Sequence, residues 1–444
     1  MTARYSFAAR VGGTAIVLAA LPRERRAAFA PTSKIHAVRD SRLRALVRFA
    51  AEHVPHYRDL FAELGIVPAD VASTDDLVAL PVLEKETVQR APDRFRPPAD
   101  VGLAMESFPT SGSSGTPLVV SHESAALLRY LAVGRRHGSP VRRVLGRGRL
   151  RRQTIARPNS TGVRARDFYR RATLLPPRPD RRLSPDASPE TVAATIDARR
   201  PDVLAGLGNT LEELFRLADA GAVRFHLPRL VSYHSDAMSD AGRRLIEDRF
   251  GIPVFSSYGA VETFQIGFFC ERRTGHHLHE DCCHVRVVRP DGADAAPGEA
   301  GEVVVSNLVN RGMVLLNYRL GDVAALLADE CACGRSLRLL SPVQGRINEV
   351  VVLTDGTRVH PFSVADAVRE EGLLRFRLVQ AARMRFRLEV VTVDDEAYRR
   401  VLDAAVPRLC GVLGGAEVTA VRRVALEEGP RQKFRRVVAL PDDA

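Results

Sequence analysis

Residues 188–259 alternate between two hydrophobic periods, and that alternation limits the folds open to the chain more than any other feature. Apolar residues recur at three and four over 188–200, 210–220 and 239–250, which predicts helices. Between them VLAGL (203–207), RLVSY (229–233) and PVFSSYG (253–259) are short apolar runs bounded by turn residues, which predicts buried strands. A strand that is apolar on both faces must be covered on both, so strand and helix in alternation predict a wound α/β sheet.

The pattern changes twice further along. HVRVVRPDG, GEVVVSNL and MVLLNYRLGD, which follow from His284, read as strand, turn and strand, and suit a small β-barrel or antiparallel sheet. Past Gly345 a strand-helix-strand order returns through VVVLTDG, VHPFSVADAVREEG and RFRLVQAARMRFRLEVVTVD, which predicts a separate small α+β domain. A chain of 444 residues with 45% apolar side chains can build two or three cores. We divide it into a large domain, 1–344, and a small one, 345–444. Residues 39–64 predict an amphipathic helical pair, broken at Pro55, that serves as packing scaffold. No internal repeat is present.

The formal charge of +12 would ordinarily suggest a polyanionic partner. Only three lysines, Lys34, Lys85 and Lys433, stand against sixty-two arginines, so arginine has replaced lysine almost throughout. The charge is therefore weak evidence for nucleic acid, and a surviving lysine is more informative, because an amine does chemistry that a permanently charged guanidinium does poorly. The arginine-dense stretch 135–182 reads as a solvated surface segment or as a platform for an anionic substrate or a coenzyme A phosphate. The six cysteines cluster in the middle of the chain, which suits a reducing, cytoplasmic setting better than a disulfide framework. Residues 12–21 follow Arg4 and Arg10 in the manner of a secretory signal, but the run is short and Arg23, Arg25 and Arg26 follow it, so secretion is not expected. No stretch is long enough to predict a membrane span.

The strongest local motif is TSGSSGTP, in which Thr110, Ser111, Gly112, Ser113, Ser114, Gly115 and Thr116 precede Pro117. Its glycines let the backbone approach a phosphate, and its hydroxyls and amides can donate to phosphate oxygens. Standing alone, the same string would serve as a surface turn. It is followed by Ser257-Tyr258-Gly259-Ala260-Val261-Glu262, by Tyr318-Arg319-Leu320-Gly321-Asp322, by Gly345-Arg346-Ile347-Asn348-Glu349 and by Pro430-Arg431-Gln432-Lys433-Phe434-Arg435-Arg436.

In this order the five segments resemble the adenylate-forming superfamily, which includes acyl-CoA synthetases and luciferases. The resemblance implies that residues 110–116 cradle the phosphates of ATP, Tyr258 and Gly259 lie on adenine, Glu262 holds magnesium, Asp322 accepts from the ribose hydroxyls, and Arg346 reaches ribose or phosphate. Magnesium requires a hard oxygen ligand such as a carboxylate. Ser235 and Asp236 stand where the family contacts the adenine edge. Lys433 stands where the family carries its catalytic lysine, an ammonium that stabilises charge shifting between carboxylate and α-phosphate. The resemblance further implies that the small domain is mobile. Val261 replaces the usual Thr or Ser, Gln432 the usual glycine, and Asn348 the usual hinge residue.

Cys270-Glu-Arg-Arg-Thr-Gly-His-His277 and Cys331-Ala-Cys333-Gly resemble segments of the phenylacetate-CoA ligase branch, some members of which bind structural zinc. Three thiolates and one imidazole would complete a closed tetrahedral site. Cys270, His277, Cys331 and Cys333 are the expected ligands, with His276, His279, Cys282 and Cys283 as substitutes and ordinary buried thiols as the alternative. The implied reaction activates a carboxylic acid, aryl or arylacetic by this branch, as its acyl-AMP and transfers it to coenzyme A. Transfer to an amine, or another use of the adenylate, stays open because Val261 and Gln432 depart from the pattern. A non-catalytic nucleotide-binding homologue is opposed by Lys433, Glu262 and Asp322, and nucleic-acid binding ranks last. A homodimer is compatible with the sequence and not required by it.

Overall fold

The computed structural model describes residues 5–110, 117–146, 148, 150–156, 161–176, 181–185, 187–424, 426 and 435–440. Its backbone is a nine-stranded sheet in which two hydrogen-bonding regimes meet. Five strands run parallel in the order Arg181–Leu183, Arg152–Ile155, Val203–Gly206, Leu230–His234 and Val254–Tyr258. Beyond Val254–Tyr258 the sheet continues antiparallel through Gly267–Phe269, His276–Leu278, Leu339–Leu340 and Leu326–Leu327. The helices Pro189–Arg199 and Gly208–Asp219 return the chain between parallel strands, as the alternating periods require, and with Ile196, Leu211, Phe215 and Val254 they bury one core.

The third predicted helix is Asp240–Arg244 continued by a wider turn over Leu245–Arg249. The helical pair is present as Thr32–His53 and Pro55–Leu64, with the break at Val54 where proline withdraws an amide. Leu43, Val47, Tyr57 and Phe61 of this pair pack on Val285, Val303, Val305 and Tyr318. Those residues belong to a three-stranded antiparallel sheet of Cys283–Val288, Gly301–Asn307 and Tyr318–Ala324. The third of these strands starts later than MVLLNYRLGD predicts, because Met313, Val314 and Leu316 are spent as core anchors before the ladder begins.

From Val351 onward a separate cluster forms, in which Leu378, Leu388 and Val390 pack on Val364, Val401 and Leu409. Its four-stranded sheet has the order Glu417–Arg422, Arg385–Thr392, Leu373–Ala382 and Val437–Val438.

The arginine-dense stretch departs from its reading as a solvated segment. It supplies the strands Arg152–Ile155 and Arg181–Leu183 and the helices Arg135–Leu145 and Thr161–Ala172. Arg136 is buried, donates to both oxygens of Asp281 at 2.7 and 2.9 Å, and pairs with Glu24 of the helix Phe7–Ala27. No helix among the described residues is long and apolar enough to cross a membrane.

Candidate active site and metal centre

In open α/β sheets ligands settle at the carboxyl ends of the strands, where the strand order changes sense. Here that place is the end of Val254–Tyr258, the last parallel strand, whose next neighbour runs antiparallel. The chain leaves it through a turn over Gly259, Ala260, Val261 and Glu262. Gly259 is required there on steric grounds, since a Cβ would lie 2.2 Å from the Phe264 carbonyl oxygen. The turn closes with Phe264 at a φ of 57°, and its amide donates to the Ala260 carbonyl at 2.6 Å.

The strand Tyr318–Ala324 crosses in front of this turn and the two segments exchange side-chain hydrogen bonds. The Tyr258 hydroxyl donates to Asp322 Oδ2 at 2.8 Å, and the Tyr318 hydroxyl donates to Glu262 Oε1 at 3.3 Å. Gly321 sits between them at a φ of 75°, a left-handed conformation that glycine adopts without strain. Arg346 Nε lies 3.6 Å from Asp322 Oδ1, and the two residues also form a backbone bridge. From beneath, Asn307 Nδ2 donates to the Glu262 carbonyl at 2.8 Å and its Oδ1 accepts from the Tyr130 hydroxyl at 2.9 Å.

The electrostatics follow from burial of these groups side by side. Glu262 is buried, and loss of solvent raises its carboxyl above the ordinary range. Burial and the adjacent Asp322 carboxylate push the Tyr258 hydroxyl well up. Burial works against the charge of Arg346, yet the carboxylates of Asp322, Glu349, Glu262 and Asp236 hold its pKa above the ordinary value. Burial, reinforced by Asp236, pushes Glu349 up to about 7. Arg346 is thus the cation beside Asp322, and the Asp322 carboxylate with the adjacent guanidinium is suited to a ligand carrying a diol next to an anionic oxygen.

Asp236 lies at the end of the neighbouring parallel strand, where Asn209 Nδ2 donates to its Oδ2 at 2.8 Å, and exposed Ser235 beside it has a φ of 67°. Thr110 closes the base of the Ser/Gly loop: its amide donates to the Leu118 carbonyl at 2.8 Å and its Oγ1 accepts from the Leu118 amide at 3.0 Å. Ser111, Gly112, Ser113, Ser114, Gly115 and Thr116 lie outside the described residues. The strand that follows the loop, Val119–Glu123, carries buried His122, whose Nε2 is 2.7 Å from the Val261 carbonyl. This bond ties the base of the loop to the Glu262 turn. Lys433 also lies outside the described residues, whereas Arg435 and Arg436 of its block are described.

On the antiparallel half of the sheet, the four expected metal ligands converge. The donor atoms of Cys270, His277, Cys331 and Cys333 all lie within 4.8 Å of one another. Cys270 and Cys331 sulfurs are 3.6 Å apart, and Cys333 Sγ is 3.3 Å from His277 Nε2. Zinc-like bond lengths would place tetrahedral sulfurs ~3.8 Å apart and sulfur from nitrogen ~3.6 Å. The other ring nitrogen, His277 Nδ1, faces the Leu337 carbonyl at 3.4 Å, which leaves Nε2 for an ion. All three cysteines of the cluster are free thiols.

The substitutes lie elsewhere. His276 Nε2 meets Ser256 Oγ at 2.9 Å, His279 Nδ1 meets Arg136 Nη1 at 3.3 Å, Cys282 receives Arg42 Nη1 at 3.3 Å, and the Cys283 thiol faces backbone carbonyls.

Residue reading did not single out Tyr318, Asn307, His122, Glu349 or Glu212. Tyr318 stands in the same block as Asp322 and could have been found by asking what satisfies a buried Glu262. Asn307 and His122 had no readable signal, because their partners are the backbone carbonyls of Glu262 and Val261.

No family model matches the chain. Phenylacetate-coenzyme A ligase of Thermus thermophilus is 26% identical over 355 residues, which span 75% of this chain and 75% of that enzyme. The enzyme of the same name from Escherichia coli is 25% identical over 359 residues, 76% of this chain and 77% of its own. Among solved structures, 2-hydroxyisobutyryl-CoA ligase in the postadenylation state with R3-HIB-AMP aligns with a TM-score of 0.75 at 18% identity, over 94% of this chain and 91% of that one. The same ligase with 2-HIB-AMP and CoA in the thioesterification state aligns with a TM-score of 0.60 at 19% identity, over 93% and 91%.

Proposed function

We propose that this chain, which belongs to the phenylacetate-CoA ligase-like branch of the adenylate-forming superfamily, activates a carboxylic acid with ATP as its acyl adenylate, releases pyrophosphate, and passes the acyl group to coenzyme A as a thioester. The observation that carries this reading is the pair of cross-segment bonds, Tyr258 to Asp322 and Tyr318 to Glu262, which unite two motifs some sixty residues apart in one cleft at the switch of the sheet. In this cleft Tyr258 provides a flat face for adenine, Asp322 presents two oxygens to the ribose diol, and Arg346 offers a cation to the sugar-phosphate side. Asp236 and Ser235 serve the adenine edge, and the Ser/Gly motif of residues 110–116 is the candidate for phosphate binding.

Magnesium fits Glu262 on chemical grounds. Burial makes the Glu262 carboxylate costly to ionise, more than the bond from Tyr318 relieves, and a divalent cation held there would offset that cost and would supply positive charge for a phosphate. Lys433 supplies the ammonium for charge developing at the α-phosphate. The substrate class we expect is an aryl or arylacetic acid, as the names of the curated relatives suggest.

We read residues 1–344 as the large domain, whose three-stranded sheet belongs to the family's small barrel, and 345–444 as a mobile small domain. The better alignment with the postadenylation form than with the thioesterification form of one ligase supports a movable small domain. Zinc in the Cys270, His277, Cys331 and Cys333 cluster would fix the loops of the antiparallel half without an open coordination position. A cytoplasmic setting is the compartment we expect, because thiolates free to hold a metal persist under reducing conditions.

The test is mass spectrometry of products formed from ATP, a panel of aryl and arylacetic acids, and either coenzyme A or simple amines. Acyl-CoA and AMP are expected. Acyl amides in their place would reassign the acceptor, and no pyrophosphate exchange with any acid would overturn the activity.

A further inference from the structure

One helical turn from Asn209, which bonds Asp236, a buried carboxylate receives an arginine from late in the sequence. Glu212, on the helix Gly208–Asp219, is 5% exposed, and its two oxygens take four donors in addition to that arginine. Oε1 accepts from the Ser239 hydroxyl at 2.7 Å and from Arg216 Nη2 at 3.0 Å and Nε at 3.3 Å, and Oε2 accepts from the Ser239 amide at 3.0 Å. Its side chain is packed against Gly242, where a Cβ would come within 2.4 Å of the Glu212 Cδ. Onto the remaining face of Oε2 comes Arg436 Nη2 at 2.6 Å, across 224 residues of sequence.

Arg436 closes the block that carries Lys433. Its carbonyl accepts from the Leu378 amide at 2.8 Å, and the strand Val437–Val438 that follows pairs with Leu378 and Val379. Two further ion pairs cross the same seam, Arg375 with Glu213 at 3.5 Å and Arg244 with Asp366 at 3.6 Å, but both join side chains far more exposed than Glu212. Surface pairs of that kind contribute little, whereas a desolvated, multiply bonded carboxylate is specific about the cation it accepts. Three residues of chain span at most ~11 Å, so whatever anchors Arg436 limits how far Lys433 can range.

We propose that Glu212 is a positioning residue for adenylate formation: its preformed carboxylate receives Arg436 and so anchors the chain three residues past Lys433. The inference rests on the adenylating function proposed above. Burial opposes the charge of Glu212, but Arg436, Arg216 and the Ser239 donors hold its carboxyl down at about 2, so the receptor is ionised across the working pH range. Glu212 touches no reacting group and acts through Arg436, so its loss affects the step that needs Lys433 and spares a step that does not.

The test separates two half-reactions in the full-length chain. Adenylation is read as exchange of labelled pyrophosphate into ATP with phenylacetate, or with whichever acid the wild-type chain accepts, and transfer is read as thioester formed from supplied acyl adenylate and coenzyme A. R436Q and E212Q should each lower exchange by ~10-fold or more while transfer stays within about twofold, and the double variant should lose no more than the worse single, as expected when two residues act through one contact. R436K should recover part of the exchange. Equal loss in both half-reactions, or additive losses in the double variant, would overturn the proposal.

E212Q also disturbs Ser239 and Arg216, so R436Q is the arm that survives a folding defect. Amide hydrogen exchange at Leu378 gives a readout independent of turnover, with protection expected to drop in both variants and unchanged protection counting against docking. A wild-type chain that exchanges with no acid removes the adenylating function and this role with it, while the Leu378 measurement still reports whether the contact forms.

Discussion

On the parallel side of the long sheet, Glu262, Tyr258, Asp322 and Arg346 hold one another at a cleft; on the antiparallel side, Cys270, His277, Cys331 and Cys333 face inward on a single point. Both groups are built from side chains that are costly to bury, but they meet that cost differently. The first leaves a carboxyl raised by burial beside an arginine whose charge the neighbouring carboxylates favour, so its groups stay able to respond to a charged ligand. The second has donors that nearly match the edges of a metal tetrahedron, so one ion would complete it and would leave no position for a substrate. A sheet that changes sense halfway can therefore keep reactivity at its switch and rigidity beside it.

The sharpest break in that contrast is expected from K433A, which should lower pyrophosphate exchange by about 10²–10³-fold or more while ATP binding by calorimetry is retained. Unchanged exchange would remove the lysine from the chemistry. E262Q should follow with a loss of about 10²-fold that added magnesium only partly restores, because the amide is a poorer ligand than the carboxylate.

On the other side of the sheet, C331A with C333A should abolish stoichiometric metal by elemental analysis and lower Tm by several degrees. Any lost activity should track the lost fold. A variant that keeps its Tm but loses turnover would contradict the purely structural reading of that cluster.

Glu349 gives a pH test. Its folded pKa of about 7 lies above the unfolded carboxylate value, so its favourable contribution is complete below pH ~4.5 and is lost as pH rises through about 7. E349Q should therefore match wild type in Tm near pH 4.5 and exceed it near pH 8. Equal Tm at both pH values would mean that the carboxyl is solvated. Smallest of the set, Y258F removes one hydrogen bond to Asp322 and should change KM for ATP by about three- to tenfold with little effect on Tm.

Much of this was legible in the residues because it is written locally. The strands ending at Gly206, His234 and Tyr258 and the break before Pro55 follow from the period of apolar residues over a few turns, whereas the segment read as one closing strand past Gly345 folds as a hairpin of Leu373–Ala382 with Arg385–Thr392. The four cysteine and histidine donors were also legible, since their chemistry narrows the choice even though His277 and Cys333 are 56 residues apart. What the residues hid was partnership. Nothing near Arg136 announces that it will be buried between Glu24 and Asp281 in an otherwise arginine-rich stretch.

The amino-acid sequence by itself determined the order of secondary elements and the kinds of chemistry available, because period and side-chain type act over short range. Only the tertiary structure decided that Tyr318 answers Glu262, that His122 of the strand Val119–Glu123 meets the Val261 carbonyl, and that Glu212 meets Arg436. Those contacts depend on strand order and on which helix covers which face, and such long-range packing is chosen by burying the whole core at once and leaves no mark on any single segment.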